Sequence, residues 1–358
     1  MSFLKFDGIG VTAMAGAVPK CIINNYEYTN FFPADQVKEV VDKVGVYERR
    51  FADENTCSSD LCFAAAEKLL VDNNIDRSEI DLLVFISQTP DYRMPATSII
   101  LQHRLGLSNS CIAFDINLGC SGFLYGLSIV YSMISNGNIR KALILDGETR
   151  SKVYSPKDRR SAFIFGDGGV AALIERDNKF GTSYFSLNSD GSRHDLIMIK
   201  GGGYRNMSSI ETLKEKVVDE YGNIRSDEQG FMNGADVFNF VIREIPRDIK
   251  KTLEFSGYTA QQFDYIVFHQ ANNFINAYIA KKMKLDTSKI PSTIAKYGNT
   301  SSVSVPLTIV SELKDKLGGN KKLLLSAFGV GMTWATGVVP FVDCKISDIV
   351  EVCNGKAI

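Results

Sequence analysis

Apolar residues in this chain come in two kinds of run that alternate. Asp81-Leu82-Leu83-Val84-Phe85-Ile86 is continuous, as expected of a strand buried on both faces. Phe6 to Val11 and Lys141 to Leu145 read the same way. The other kind is periodic. Leu61, Ala64, Ala65, Leu69 and Leu70 follow a Ser58 or Ser59 cap, and Phe123, Leu124, Leu127, Val130, Tyr131 and Ile134 recur at helical spacing. Further helices are expected over Phe32 to Val44 and from Pro95 to about Leu105, with a charged turn at Glu48-Arg49-Arg50. Phe163 to Ala171 reads as a strand interrupted by a Gly turn and continued through Ile174. Strands alternating with helices predict an α/β protein with a mostly parallel sheet.

The pattern then starts again. Asp81 to Phe85 resembles Asp264-Tyr265-Ile266-Val267-Phe268, Leu127 to Val130 resembles Leu307 to Val310, and Arg140 to Leu145 resembles Lys321 to Leu325. The three matches keep one order and one offset of about 180 positions, which predicts two copies of one βα unit set. The expected halves are residues 1–175 and 176–358. Pseudo-twofold packing would aim the helix starts at Cys120 and near Asn299 into one crevice. Residues 190–231 have no counterpart in the first half and read as an insertion, either a substrate wall or a surface excursion.

A chain of 358 residues, 45% of them hydrophobic, can bury a large core. A net charge of −1 gives no electrostatic reason to expect nucleic acid or an anionic membrane. No apolar run reaches the length of a membrane span, and Met1-Ser2-Phe3-Leu4-Lys5 has no cleavage signature. The seven cysteines are scattered, without metal-ligand spacing. A reduced, cytoplasmic enzyme without a metal or redox cofactor is the expectation.

Cys120 carries the clearest chemical signal. It lies between Gly119 and Gly122, after a strand (Cys111 to Ile116) and before a helix. Unpaired amides and the helix dipole at such a start favour a thiolate, and the glycines are expected to let a substrate carbonyl approach. Of three histidines, His103 and His194 sit among polar neighbours, while His269 ends the Ile266-Val267-Phe268 strand. Asn299 lies in a polar turn before a helix. His269 and Asn299 read singly as a core histidine and an N-cap; with Cys120 they form a nucleophile and two hydrogen-bond donors.

These residues sit in motifs that resemble the thiolase-fold condensing enzymes of the β-ketoacyl-acyl-carrier-protein synthase III group. The motifs are Gly45-x-x-Glu48-Arg49-Arg50, Gly119-Cys120-Ser121-Gly122-Phe123, Phe165-Gly166-Asp167-Gly168, His269-Gln270-Ala271-Asn272, Gly298-Asn299-Thr300-Ser301 and Phe328-Gly329-Val330-Gly331-Met332-Thr333-Trp334. The resemblance implies two duplicated βα halves in an α-β-α-β-α arrangement, a Cys120-His269-Asn299 triad and a homodimer. It implies an oxyanion hole from the amide of Cys120 and the loop of Gly329, Val330 and Gly331. Met94 takes the place where a dimer partner contributes to the acyl tunnel. The implied reaction is fatty-acid-type Claisen condensation of an acyl thioester, from coenzyme A or acyl carrier protein, with a malonyl thioester. The alternative is acyl transfer from Cys120 to an oxygen or nitrogen acceptor. No metal is implied.

The chain departs from the pattern around the donor. Glu39 stands near the expected adenine-stacking Trp, and Lys43 replaces a coenzyme A arginine, while Arg159 keeps a second basic position. Phe274 replaces a carrier-docking arginine, and Lys281 and Lys282 remain. These changes favour a carrier-bound acyl donor over free acyl-CoA.

Overall fold

The structure is a computed structural model that describes residues 2–358. Its core is two five-stranded sheets built from ten strands: β1 (Ser2–Asp7), β2 (Ile9–Pro19), β3 (Leu82–Ile86), β4 (Ile112–Ile116), β5 (Lys141–Thr149), β6 (Asp167–Arg176), β7 (Thr182–Ser189), β8 (Tyr265–Phe268), β9 (Asn320–Gly329) and β10 (Thr333–Ile346). The first sheet runs β4-β3-β5-β6-β2 and the second β8-β9-β10-β7-β1, joined where β10 pairs with β2. Strands β3, β5, β6 and β2 thus lie in the same order as β8, β9, β10 and β7. The two sets differ at their edges. No strand in the second sheet corresponds to β4, and β1 pairs antiparallel with β7 instead of staying with the first sheet.

Helices fill three layers. Helices α1 (Ala34–Val44), α2 (Ser58–Asp72) and α3 (Thr97–Arg104) belong to the first half, and α2 with α3 covers the outer face of its sheet. Helices α5 (Gly234–Ser256) and α6 (Asn273–Met283) are on the second half, with α5 packed across β7, β9 and β10. Between the sheets lie α4 (Gly122–Asn136) and α7 (Ser304–Leu313). This is the expected layered arrangement, but the sheets are mixed and not mostly parallel: β6 pairs antiparallel with β5 and β2, and β10 antiparallel with β9 and β7. The middle layer explains two apolar patterns. Phe123, Leu124, Leu127, Val130, Tyr131 and Ile134 on α4 are all fully buried, and so are Val305, Leu307 and Ile309 on α7. A helix between two sheets needs apolar groups on more than one face.

Several local expectations are corrected. Phe6 to Val11 is not one strand: it is interrupted at Gly8, which has φ +66°, and the chain continues in the same direction from β1 in the second sheet to β2 in the first. Glu48-Arg49-Arg50 is not a turn. Glu48–Phe51 forms a two-stranded ribbon with Cys21–Asn24, because Arg49 is buried against backbone and ring acceptors. Its Nε donates to Asn25 Oδ1 at 2.7 Å and its Nη1 to Phe165 O at 3.2 Å. The strand expected from Phe163 begins only at Asp167, whose carboxylate accepts from the backbone of Ala52 and Ser151. Residues 190–231 form the helix Ile210–Leu213 and one short hairpin, Lys216–Val217 with Ile224–Arg225, while Ile197–Met198 near their start pairs antiparallel with Phe231–Met232 at their end.

Burial of α4 sets a scale for what holds the layers together. Phe123→Ala is expected to cost about 3–5 kcal/mol in urea unfolding, while Val71→Ala on exposed α2 surface changes stability by less than about 0.5 kcal/mol. Similar losses for both would contradict the layer assignment.

Candidate active site

The two central helices start close together. Ser121 caps α4 directly after Cys120, and the 3₁₀ turn Ser301–Val303 leads into α7. Cys120 Sγ lies 3.9 Å from Ser301 Oγ across this junction. Ser302 fixes the junction by donating to Asp146 of β5 at 2.6 Å, and burial pushes the Asp146 carboxyl well above its ordinary value, toward the protonated form.

Cys120, His269 and Asn299 line one cavity, with Arg150, Phe328 and Val330 among its walls. Cys120 is 6% exposed. Burial alone would raise its thiol. His269, by charge and hydrogen bonding, then Arg150 and the Val330 N–H, outweigh burial and hold it at about 7. Gly329 makes room for the sulfur: a Cβ there would lie 2.4 Å from Cys120 Sγ. Gly119 and Gly122 serve packing rather than substrate approach, since a Cβ would meet Gln88 at 2.6 Å and Ile86 at 2.7 Å.

His269 follows β8, and its ring stands edge-on to Phe328 with centroids 5.4 Å apart. Its Nδ1 lies 2.7 Å from Ser304 Oγ, the first residue of α7. That oxygen also accepts from Gln270 N at 3.3 Å, which leaves its own hydrogen free to turn to Nδ1 of the neutral ring. We assign the imidazole proton to Nε2 on this network. Gln270 and Asn272 hold the segment in place. Gln270 donates to Phe268 O at 2.7 Å and accepts from Ser292, and Asn272 caps α6 through Ile275 N at 2.9 Å.

Asn299 is oriented by an Asx turn. Its Oδ1 accepts from Ser301 N at 2.9 Å, with Ser301 held at φ +56°. A non-glycine residue in this region is a strained conformation of the kind found where side-chain aim matters. With Oδ1 occupied, the Asn299 amide has its two N–H donors left for the cavity. The cavity thus offers a lowered thiol and two sets of directed donors, which suits attack on a thioester and stabilisation of an oxyanion.

Outside the cavity the other residues named from the sequence divide into three places. Lys43 and Glu39 are exposed on α1, and Arg159 reaches the same helix through Gln36 Oε1 at 3.0 Å. Phe274 is 61% exposed on the first turn of α6, stacked on Phe238 at 5.4 Å. Lys281 and Lys282 are exposed in the last turn of that helix, and Lys282 donates to Ile242 O at 2.6 Å. Met94 is 76% exposed, in the loop before α3. Val330 lines the cavity, and Gly331 follows it in the same loop. His103 and His194 are exposed and remote from the cavity lining. The insertion contributes to a wall: Ile197 lines the cavity with Cys120, as does Met232 just past the insertion's end. Arg150, Tyr154 and Ser304 went unnoticed in the sequence. Arg150 follows the end of a buried strand, where α/β sites are built, and that position was its only signal.

Known proteins resemble the chain over nearly its whole length. The family model described as 3-oxoacyl-[acyl-carrier-protein] synthase III matches residues 114–191, and the model of its C-terminal part matches residues 253–341. The β-ketoacyl-[acyl-carrier-protein] synthase III of Caldanaerobacter subterraneus is 32% identical over 92% of this chain and 97% of its own. That of Streptococcus pneumoniae is 31% identical over 94% of this chain and 98% of its own. The crystal structure of a 3-oxoacyl-(acyl-carrier protein) synthase from Burkholderia xenovorans superposes with a TM-score of 0.92 at 36% identity, covering 98% of this chain and 99% of that one.

The lowered thiol has a direct readout. Alkylation of Cys120 by iodoacetamide, followed by site-resolved mass spectrometry, should rise with pH with a midpoint near 7. Cys62, Cys111 and Cys344, whose thiols burial pushes up, should stay unlabelled at that pH. His269→Ala removes the largest lowering influence and should move the midpoint well above 7; an unchanged midpoint would exclude His269 as its cause.

Proposed function

The chain belongs to the 3-oxoacyl-[acyl-carrier-protein] synthase III family, and from that premise we propose how its own residues share the work. The reaction of this family is acyl transfer: decarboxylative Claisen condensation of an acyl thioester with a malonyl thioester. Cys120 is the nucleophile. Its thiolate attacks the donor carbonyl, the tetrahedral oxyanion meets the amides of Cys120 and the Gly329-Val330-Gly331 loop, and the donor sulfur leaves as a thiolate that takes a proton from solvent. The acyl group is then on sulfur.

The malonyl thioester enters next. Its thioester oxygen accepts from His269 Nε2 and Asn299 Nδ2. Cleavage of the carboxylate bond releases carbon dioxide and leaves the electron pair as an enolate on that oxygen. The enolate carbon attacks the acyl-Cys120 carbonyl, and collapse returns the Cys120 thiolate and frees the β-ketoacyl thioester. The observation that carries this reading is the fixed aim of the two donors: Asn299 turned by Ser301 N at 2.9 Å, and His269 held through Nδ1 by Ser304 at 2.7 Å. Preorganised donors at developing charge are worth about 10²- to 10³-fold each.

The partner is acyl carrier protein, met at Phe274, Lys281 and Lys282. Donor phosphates meet Lys43 and Arg159. With no aromatic at Glu39 to stack on adenine, an acyl-carrier donor is favoured over acyl-CoA. We assign the working form as a cytoplasmic homodimer of chains divided near residue 175. Edge strand β4, with Ile112 45% exposed, and the neighbouring Tyr92, Met94 and Ile99 supply an apolar edge suited to a second copy. Among the described residues no helix is long and apolar enough to cross a membrane.

The test separates the half-reactions. With labelled acyl donor, Cys120→Ala should carry no protein-bound acyl group. Asn299→Ala should still acylate, as should His269→Ala above its raised thiol midpoint, and both should release carbon dioxide from malonyl-carrier protein about 10²- to 10³-fold more slowly. Label on the Cys120→Ala protein, or equal losses in both half-reactions, would contradict the assignment.

A further inference from the structure

The wall of the cavity that holds Cys120 also contains a guanidinium. Arg150 is 5% exposed and lines the space beside Cys120, the adjoining space bounded by Gln88 and Asn117, and a third bounded by Arg49 and Phe51. Burial works against its charge, but Tyr154, Glu148 and Cys120 around it hold it protonated, above its ordinary value.

Its donors are mostly unspent. Of five N–H groups, Nη2 donates to Tyr154 Oη at 3.0 Å. Nε is buried and has no acceptor among the described residues. Nη1 is 3.8 Å from the Glu148 carboxylate, beyond hydrogen-bonding distance. Glu148 is already committed, accepting from Gln88 N at 3.1 Å and Thr89 Oγ1 at 3.0 Å. The side chain is also fixed in place: Tyr154 stacks on Phe165 with centroids 3.9 Å apart, and the guanidinium carbon lies 5.2 Å from the Tyr154 ring centroid. A purely hydrocarbon acyl chain laid here would cover a charged group and leave its donors unmet, which is costly. An oxygen on the chain would meet them.

We propose that Arg150 is a specificity-determining residue that selects an acyl donor bearing an oxygen acceptor on its chain, a hydroxyl, keto or carboxylate oxygen, over a hydrocarbon acyl group of the same shape. This rests on the acyl-Cys120 reading above. Gln88 and Asn117, which line the adjoining space with Arg150, extend the polar character of that wall.

Isosteric donors test it. Carrier-bound 3-hydroxybutyryl is compared with 3-methylbutyryl, and succinyl with 4-methylpentanoyl, by the rate of mass gain on Cys120. In at least one pair the oxygen-bearing donor should acylate about 10- to 100-fold faster, and which pair it is tells a neutral oxygen from a carboxylate. Arg150→Met should reduce that preference to about threefold or less. Because this variant strands Glu148, the double variant Glu148→Gln with Arg150→Met is measured beside it and should behave alike. Equal or faster acylation by the hydrocarbon member of both pairs in the unaltered protein overturns the proposal, as does a preference that survives in the folded double variant. Failure of every donor to label Cys120 contradicts the acyl-enzyme reading itself, and the proposal with it.

Discussion

Burial of two helices between two sheets is the constraint on which the site depends. Helices α4 and α7 can lose their apolar faces to solvent only if sheets cover them on both sides. Packing them so brings the residues before each helix to one junction. Cys120 precedes α4, and Asn299 and Ser301 precede α7, with Sγ and Oγ 3.9 Å apart. The third group, His269, comes from the end of β8 and is tied to the same helix through Ser304. The site is thus a by-product of core packing: a loss of register between the sheets would separate nucleophile and donors together.

Electrostatics in this junction run in opposed directions. Burial raises the carboxyls of Asp146 and Glu148 and would raise the Cys120 thiol too. What reverses it for Cys120 is positive charge and directed hydrogen atoms close by, from His269, Arg150 and the Val330 amide. Acylation removes the thiolate and with it one negative partner of Arg150. The guanidinium then faces the newly bound chain with Glu148 as its remaining carboxylate neighbour, and this links nucleophile activation to the choice of acyl group. The rest of the same cavity wall includes the apolar Phe165, Ile197 and Phe328.

Much of this was legible in the chain itself. Continuous apolar runs marked β3, β5 and β8 because strands covered on both faces need no polar side. Two similar series about 180 positions apart marked the duplication. Cys120 and His269 were legible because each follows an apolar strand, and Asn299 because its polar turn opens the helix that matches the one after Cys120. Less was legible where tertiary contacts overrode local pattern. Arg49 looks like a turn residue and is a buried strut, because Asn25 Oδ1 and Phe165 O lie within reach only in the folded chain. Gly8 splits one apolar stretch between two sheets, which no periodicity reports. Gly119 and Gly122 read as open space for substrate, and only the packed positions of Gln88 and Ile86 show that they are filled. Arg150 carries no motif; its significance is the acceptors it lacks.

The central claim is that carbon–carbon bond formation at Cys120 is driven by decarboxylation under His269 and Asn299. The most direct measurement is a single turnover of isolated acyl-Cys120 enzyme with malonyl-carrier protein, counting carbon dioxide released, acyl groups lost from Cys120 and β-ketoacyl product formed. The account predicts about one of each per acyl group, appearing with a common rate constant. Discharge of the acyl group to product without carbon dioxide would contradict it.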